Sequence, residues 1–260
     1  MVKKYYGYIG PNEDPGRCLQ KPGRNIGGVA IGIIRMGCSN IVFFPGNISN
    51  ASSFQYPVHY VFAEGADQAG VHLGDRQLLA SVISCAKDLE AAGCRAVFAS
   101  CGYFGNYQKE ASDAVDIPVY LSSLIQIPFI LRGLKRSQSV GILCSDAPNL
   151  SESMFRSCGI SEADQERCLI CGAENLPEFQ NVLSDAGSMD SRKAQQELTE
   201  LACSFTALHP EIGALLLECT EMPPYAHSVQ RATGLPVFDY LTMINYFHEA
   251  VTRMPYYGFL

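Results

Sequence analysis

The sequence predicts an α/β protein of two pseudo-twofold-related lobes, each a mostly parallel sheet flanked by helices. Two observations carry this prediction. Short apolar runs alternate with longer amphipathic segments, and the order of these segments repeats in the second half of the chain. Strands that alternate with helices build parallel sheets, because each crossover between parallel strands needs a helix-sized connection.

The elements can be assigned in order along the chain. Residues 1–27 are rich in Gly, Pro, Lys and Tyr without a period, which predicts an irregular N-terminal arm. A helix is predicted over 75–93, where apolar residues recur at helical spacing and Gly93 supplies a stop. Further helices are predicted over 190–208 and about 241–252. The predicted strands are 28–35, 57–65, 96–100, 117–121, 140–145, 167–172, 214–219 and 235–240.

The internal repeat is marked by a cysteine and a proline at matched spacing. Cys101 ends a strand in the first half and Cys219 ends its counterpart, and Pro118 and Pro236 each follow 17 positions later. The matched offsets favour a duplication over the chance likeness of two strand–helix–strand units. Other segments correspond as well, 30–37 with 139–146 and 96–106 with 214–224.

Composition limits the classes of function. The 260 residues are 47% hydrophobic and 17% charged, which predicts a globular protein with a sizeable core. The net charge of -7 argues against nucleic acid or an anionic membrane as the main partner. The N-terminus lacks the apolar region of a secretory signal, and no stretch of 18 apolar residues suggests a membrane span. We therefore expect a cytoplasmic protein.

The 11 cysteines are odd in number and spread along the chain, which is typical of reduced thiols rather than a disulfide framework. The pair Cys168 and Cys171 has CxxC spacing but lies in an apolar run without a second pair, which favours a structural role over a metal site. No GxGxxG, Walker loop or HxxxH pattern occurs. We expect neither a metal nor an organic cofactor.

Cys101 and Cys219 both follow strands at the edge of the sheet where α/β proteins bind ligands. If the two lobes face each other, the thiols lie on opposite sides of one ligand. Inversion of a carbon centre needs a base on one face and an acid on the other, and a thiol with a pKa near ~8.5 can be tuned to either role. The pair therefore predicts proton removal and return at one carbon.

Three segments resemble the aspartate/glutamate racemase superfamily, which also includes hydantoin racemases, maleate isomerases and arylmalonate decarboxylases. The segment ECTEMP resembles its second-cysteine motif GCTE or GCTH, GIIRMG resembles its first strand, and TGLPVFDYLTMINYFHEA resembles its last strand and helix. The resemblance covers about residues 28–252. It implies that Cys101 and Cys219 form the acid–base pair and that Thr220 contacts a substrate carboxylate.

The resemblance also implies the division of the chain. In the superfamily the strand after each cysteine crosses to the other lobe. Lobe one is then expected over 1–116 plus 234–260, and lobe two over 117–233.

The first cysteine departs from the superfamily pattern. Amino-acid racemases often read CNT there, with Asn and Thr contacting the substrate, whereas this chain reads Cys101, Gly102, Tyr103. The two side-chain donors are absent, which argues against an α-amino dicarboxylate substrate. Gly102 and Tyr103 remain candidate substrate-binding residues because they adjoin the thiol.

Three further residues are candidates, each with a structural alternative. Arg35 ends the first strand and could bind a carboxylate in bidentate fashion, or be a surface or interface residue. Asn50, like Asn47, lies in the loop after that strand and could bind substrate or hold a turn. Glu221 could orient Cys219 or cap the following helix.

Together these observations predict a cofactor-independent, PLP-independent racemase or epimerase, an isomerase that acts on a carbon alpha to a carboxylate. The active site is expected between the lobes, with a small carboxylate as substrate. We expect a homodimer that binds neither nucleic acid nor membrane. The alternatives are a maleate-type cis–trans isomerase with a nucleophilic cysteine, or a non-catalytic small-ligand-binding protein of the same fold.

Overall fold

The structure is a computed structural model that describes residues 16, 17, 24 and 26–260, so most of the predicted N-terminal arm lies outside the described residues. The strands are β1 Ile31–Met36, β2 Val58–Ala63, β3 Ala96–Ala99, β4 Val119–Tyr120, β5 Ser139–Cys144, β6 Cys168–Gly172, β7 Ile212–Leu217 and β8 Val237–Phe238. The helices are α1 Gln68–Leu73, α2 Leu79–Ala92, α3 Gln108–Asp113, α4 Ile127–Gly133, α5 Glu152–Ser157, α6 Glu162–Gln165, α7 Pro177–Leu183, α8 Ser191–Leu208, α9 Ala226–Thr233 and α10 Tyr240–Val251.

The strands form two four-stranded parallel sheets with the same order, β2-β1-β3-β4 and β6-β5-β7-β8. The predicted fold class is therefore confirmed, and the sequence repeat corresponds to a repeat of topology. The central strands β3 and β7 are buried throughout, as expected where helices cover both faces of a parallel sheet. All eight predicted strands are present, mostly a little shorter than predicted.

The helices pack closely on the sheets at equivalent glycines. A Cβ on Gly32 of β1 would lie 2.8 Å from the Leu89 side chain of α2. A Cβ on Gly141 of β5 would lie 3.0 Å from the Phe205 side chain of α8. Each lobe therefore needs a residue without a side chain at the same point of its first strand. Within residues 26–260, no helix has both the length and the apolar character to cross a membrane.

The strand after each cysteine does not cross to the other lobe, which corrects the expected boundaries near 116 and 234. The backbone N–H of Val97 donates to the Pro118 carbonyl, and that of Leu215 donates to the Pro236 carbonyl, each at 2.9 Å. These bonds hold β4 on β3 and β8 on β7.

The helices that follow these strands cross instead. Residues of α10 pack in one apolar cluster with residues of β1 and β3, and α4 packs against β5. The lobes therefore exchange helices, a few residues later in the chain than expected.

Candidate active site

Cys101 and Cys219 lie at equivalent points, each two residues beyond the end of a central strand, β3 or β7. Both are buried, and both line one small cavity between the lobes. Each thiol receives a backbone N–H from the residue two positions on, Tyr103 or Glu221. The volume of the cavity is about 10 Å³, room for about one water molecule, so side chains or lobes must move to admit a substrate.

Glu221 holds Cys219. The Cys219 Sγ donates to Glu221 Oε2 at 3.0 Å, and Asn47 Nδ2 donates to Glu221 Oε1 at 3.1 Å. The 3₁₀ turn that follows, Pro223–Tyr225, has no side-chain cap. Of the two roles considered for Glu221, the structure therefore supports orientation of Cys219 rather than helix capping.

Thr220 connects the two cysteine loops, residues 100–103 around Cys101 and 218–221 around Cys219. Its hydroxyl lies 2.8 Å from the Ser100 carbonyl and 3.1 Å from Glu221 Oε2, so it is already engaged within the protein. Thr220 is 1% exposed and lines the cavity. Any contact of Thr220 with a substrate therefore has to come from its backbone or from a rearranged hydroxyl.

Cys101 has a different setting. No carboxylate accepts its proton through a hydrogen bond among the described residues. The neighbouring Tyr103 donates its hydroxyl to the Asp146 carbonyl at 2.6 Å, and its ring stacks on that of His72 with centroids 3.9 Å apart. His72 Nδ1 lies 2.9 Å from Asp146 Oδ2. Tyr103 is therefore a fixed wall of the cavity.

Burial and nearby acidic side chains raise the pKa of both thiols and of Glu218 at the cavity. Burial, followed by the charge of Glu218, raises the pKa of the Cys101 thiol well above its ordinary value. Burial, followed by Glu221 and Glu218, does the same for Cys219. Burial, followed by Glu221 and Asp146, raises the pKa of Glu218 to about 8. The thiols are therefore protonated in this state, and a positive charge in the cavity would favour the thiolates.

Glu218 is a site residue that the sequence analysis missed. It is completely buried and lines the cavity, and a Cβ on Gly102 would lie only 1.6 Å from Glu218 Oε1. Gly102 therefore leaves the space that the Glu218 carboxylate occupies. The sequence does contain a feature that could have identified Glu218. It is a charged residue directly after an apolar strand, at the position where the superfamily motif GCTE has glycine.

Arg35 and Asn50 do not line this cavity. Asn50 accepts from the Ser52 backbone and donates to the Phe43 carbonyl at 3.0 Å, so it holds the turn. Arg35 is half-buried over the ring of Phe43, 4.4 Å from its centroid. In that loop it is Asn47, through Glu221, that reaches the site. Substrate binding by Arg35 and Asn50 stays a prediction.

No family model matches the chain. Among curated proteins, it is 29% identical over 222 residues to "Dimethylsulfoniopropionate lyase 7" of Emiliania huxleyi (strain CCMP1516), covering 82% of this chain and 64% of that protein. It is 27% identical over 256 residues to the dimethylsulfoniopropionate lyase of Durusdinium sp. clade D, covering 95% and 80%. The chain thus spans just under two thirds of the first relative and four fifths of the second.

Several solved structures share the fold. The allantoin racemase of Klebsiella pneumoniae superposes with a TM-score of 0.58 at 16% identity, covering 89% of this chain and 96% of that one. An aspartate racemase homologue from Pyrococcus horikoshii gives 0.56 at 16% identity, covering 85% and 98%. Unliganded arylmalonate decarboxylase gives 0.52 at 14% identity, covering 89% and 97%. These likenesses confirm the fold expected from the resemblance to the aspartate/glutamate racemase superfamily.

The sequence relatives overturn the predicted activity. They are named lyases, which break a bond by elimination, and not isomerases. The prediction of a racemase or epimerase is therefore wrong, as is the assignment to the isomerase class. Neither alternative, a cis–trans isomerase or a non-catalytic binding protein, matches the relatives. The racemase-like fold by itself does not specify the reaction.

Proposed function

We propose that this chain is a lyase that eliminates a neutral sulfide from a small sulfonio carboxylate such as dimethylsulfoniopropionate. The observation that carries the proposal is the asymmetry of the two thiols. Only Cys219 donates a hydrogen bond to a carboxylate that could take its proton, Glu221 at 3.0 Å. Elimination needs one base, whereas inversion needs an acid–base pair of comparable strength. The names of the sequence relatives support the same reaction.

In the proposed reaction Glu221 accepts the Cys219 proton, and the resulting thiolate removes a proton from the carbon alpha to the substrate carboxylate. The electron pair left on that carbon forms the double bond to the neighbouring carbon. The bond from that neighbour to sulfur breaks, and its electrons stay on sulfur. The products are acrylate and dimethyl sulfide. Because the sulfide leaves as a neutral molecule, the leaving group needs no proton from Cys101.

The charge of the site supports a cationic substrate. Burial and two glutamates raise the pKa of the Cys219 thiol in the site without substrate. A sulfonium group would offset those negative charges and lower the pKa of the thiol, so substrate binding would itself favour the active thiolate. An additional anionic group on the substrate would act in the opposite direction.

The remaining predicted contacts belong to this proposal. The backbone N–H groups of the two cysteine loops are suited to the substrate carboxylate, with Gly102, Tyr103 and Thr220 as its neighbours. Cys101 would wall the face opposite Cys219. We also propose a cytoplasmic location, a homodimeric state and an activity that is independent of PLP and metals. Size-exclusion chromatography with light scattering tests the oligomeric state.

The test of function is direct. Purified protein is incubated with dimethylsulfoniopropionate, dimethyl sulfide is measured by gas chromatography of the headspace, and acrylate is measured by NMR. We expect both products in equal amounts, and no racemisation of aspartate, glutamate or allantoin by circular dichroism. A folded protein that releases no dimethyl sulfide at millimolar substrate contradicts the proposal.

A further inference from the structure

Glu218 is a buried acid whose carboxylate has no hydrogen-bond partner among the described residues. Its side chain is 0% exposed, and neither carboxylate oxygen has a hydrogen-bond partner within the described part of the chain. Only its backbone is engaged, with its N–H donating to the Leu143 carbonyl at 2.8 Å. A buried carboxylate without donors is costly, so such groups are rare and usually serve a function.

The Glu218 carboxylate lies at the cavity wall, against Gly102. Glu218 lines it together with both cysteines, and its Oε1 occupies the space beside Gly102 where a side chain would otherwise stand. Any residue other than glycine at 102 would collide with this carboxylate. The two loops are therefore shaped so that an acid from lobe two reaches across to the first cysteine.

The other acids near the cavity already have partners. Glu221 accepts from Asn47 and Cys219, and Asp146 accepts from Asn149 at 2.7 Å and lies against His72. Burial lowers the pKa of His72, so its ring supplies no positive charge near pH 7. Among the described residues that line the cavity, no lysine or arginine faces Glu218. The positive charge that would compensate Glu218 is therefore not part of the cavity wall.

We propose that Glu218 is the substrate-recognition residue for a positively charged onium group, which sits against its carboxylate and Gly102. This inference rests on the proposed function and names the class of substrate: a small zwitterion with a carboxylate and an alkyl onium centre. An onium group without N–H bonds suits a site that offers charge and apolar walls. The Glu218 carboxylate disfavours a ligand that has a carboxylate without a positive charge, and more so one that has two carboxylates.

The ionisation of Glu218 should respond to the cation. In the site without substrate, burial and the charges of Glu221 and Asp146 raise the pKa of Glu218 to about 8. A bound cation stabilises the carboxylate, so binding near pH 7 should release a proton. The other titratable groups near Glu218 are the thiols and phenols of Cys101, Cys144, Cys158, Cys219, Tyr103 and Tyr240, and burial raises the pKa of each. These groups are neutral at pH 7 without ligand, and a proton that leaves Cys219 when the cation binds passes to Glu221, 3.0 Å away, rather than to solvent.

The experiment compares two ligands of the same shape that differ in charge, neither of which is the proposed substrate. They are 3-(trimethylammonio)propionate and 4,4-dimethylpentanoate, in which carbon replaces the positive nitrogen. Isothermal titration calorimetry measures the dissociation constant of each with the wild type, Glu218→Gln and Glu218→Met. The control is Glu178→Gln, because Glu178 is a buried glutamate outside the cavity whose carboxylate accepts from the Asp190 backbone at 2.7 Å.

We expect the wild type and Glu178→Gln to bind the zwitterion 3-(trimethylammonio)propionate at least ten times more tightly than 4,4-dimethylpentanoate, which carries the carboxylate alone. In Glu218→Gln and Glu218→Met this preference should fall below threefold, while 4,4-dimethylpentanoate binds as well as before or better. Titrations in buffers of different ionisation enthalpy should show proton release for the wild type and Glu178→Gln, and none for Glu218→Gln and Glu218→Met. The proposal is wrong if the preference persists in both variants, or if the variants lose affinity for the two ligands equally.

The same measurements separate this inference from the proposed function. If the charge preference depends on Glu218 but no dimethyl sulfide is released, the recognition role of Glu218 is supported and the proposed lyase activity is wrong. If dimethyl sulfide is released but Glu218→Gln keeps the charge preference, the lyase activity is supported and the recognition role of Glu218 is wrong. If the protein is a lyase, Glu218→Gln should raise KM for dimethylsulfoniopropionate at least tenfold and change kcat less.

Discussion

The two cysteine loops have the same backbone frame and different chemistry. In both, a thiol lies two residues beyond a central strand and faces a backbone N–H two positions later. Loop one surrounds its thiol with Ser100, Gly102 and Tyr103, none of which carries a charge. Loop two surrounds its thiol with two carboxylates, one of them hydrogen-bonded to it.

This difference teaches how a repeated fold can support an asymmetric reaction. The repeat preserves where the thiols stand, because strand pairing and helix packing fix the backbone. It does not preserve their neighbours, which only have to fit the cavity. Lobe two therefore supplies the base and the negative charge, and lobe one supplies a wall and the space for Glu218.

The largest expected effect distinguishes the two thiols. Cys219→Ala should lower kcat for dimethyl sulfide release by roughly 10²–10⁴-fold, the usual contribution of a general base. Cys101→Ala should cost less than tenfold, because elimination of a neutral sulfide needs no acid. The measurement is steady-state kinetics, with Cys85→Ala as control because Cys85 is a buried thiol on α2 away from the cavity. Equal losses from Cys101→Ala and Cys219→Ala would restore a symmetric mechanism.

A smaller effect concerns stability and pH. The folded state raises the pKa of Glu218 to about 8 from an ordinary 4.5, so it favours the protonated acid. Its contribution to stability is full below pH ~4.5 and is lost as the pH rises through about 8. Relative to Glu218→Gln, the wild type should lose about 3 to 5 kcal/mol of unfolding free energy across this range. Urea denaturation of both proteins at pH 5, 6.5 and 8 measures it, and parallel pH profiles would contradict it.

The smallest effect tests the fit between the loops. Gly102→Ala places a Cβ 1.6 Å from Glu218 Oε1 and 2.9 Å from the Glu218 carbonyl oxygen. We expect a loss of about 1–3 kcal/mol in unfolding free energy from this overpacking. In the Glu218→Ala background the loss should shrink without vanishing, because the carbonyl contact remains. Gly133→Ala is the control, since a Cβ there meets no atom within 4 Å, and an equal loss in both backgrounds would contradict the contact.

Much of the frame could be read from local pattern. The helix of 75–93 was confirmed as a 3₁₀ turn followed by α2, and it ends at Gly93 with φ 103° as predicted. The lobe boundaries could not be read in this way. Whether 117–121 stays on its own sheet depends on hydrogen bonds between Val97 and Pro118, and residue patterns do not specify such partners.

The site residues also divide into those that the local sequence indicates and those that it does not. Cys101 and Cys219 could be chosen from the repeat, because a strand end and a matched proline are local features of the chain. Glu218 could not, because its position adjacent to Cys219 said nothing about its reach to Gly102. Arg35 and Asn50 were local candidates that the fold turns toward Phe43.

By itself, the sequence determined two lobes of parallel sheet with a thiol at each equivalent strand end, since periodicity and spacing are properties of the chain alone. Only the tertiary structure decided that the thiols differ. Cys219 donates to Glu221, which Asn47 also holds, while Cys101 lies near Glu218, whose carboxylate has no hydrogen-bond partner in the part of the chain that the structure describes. The physical reason is that the pKa of a buried group depends on which charges lie within a few ångströms, and chain folding sets those distances.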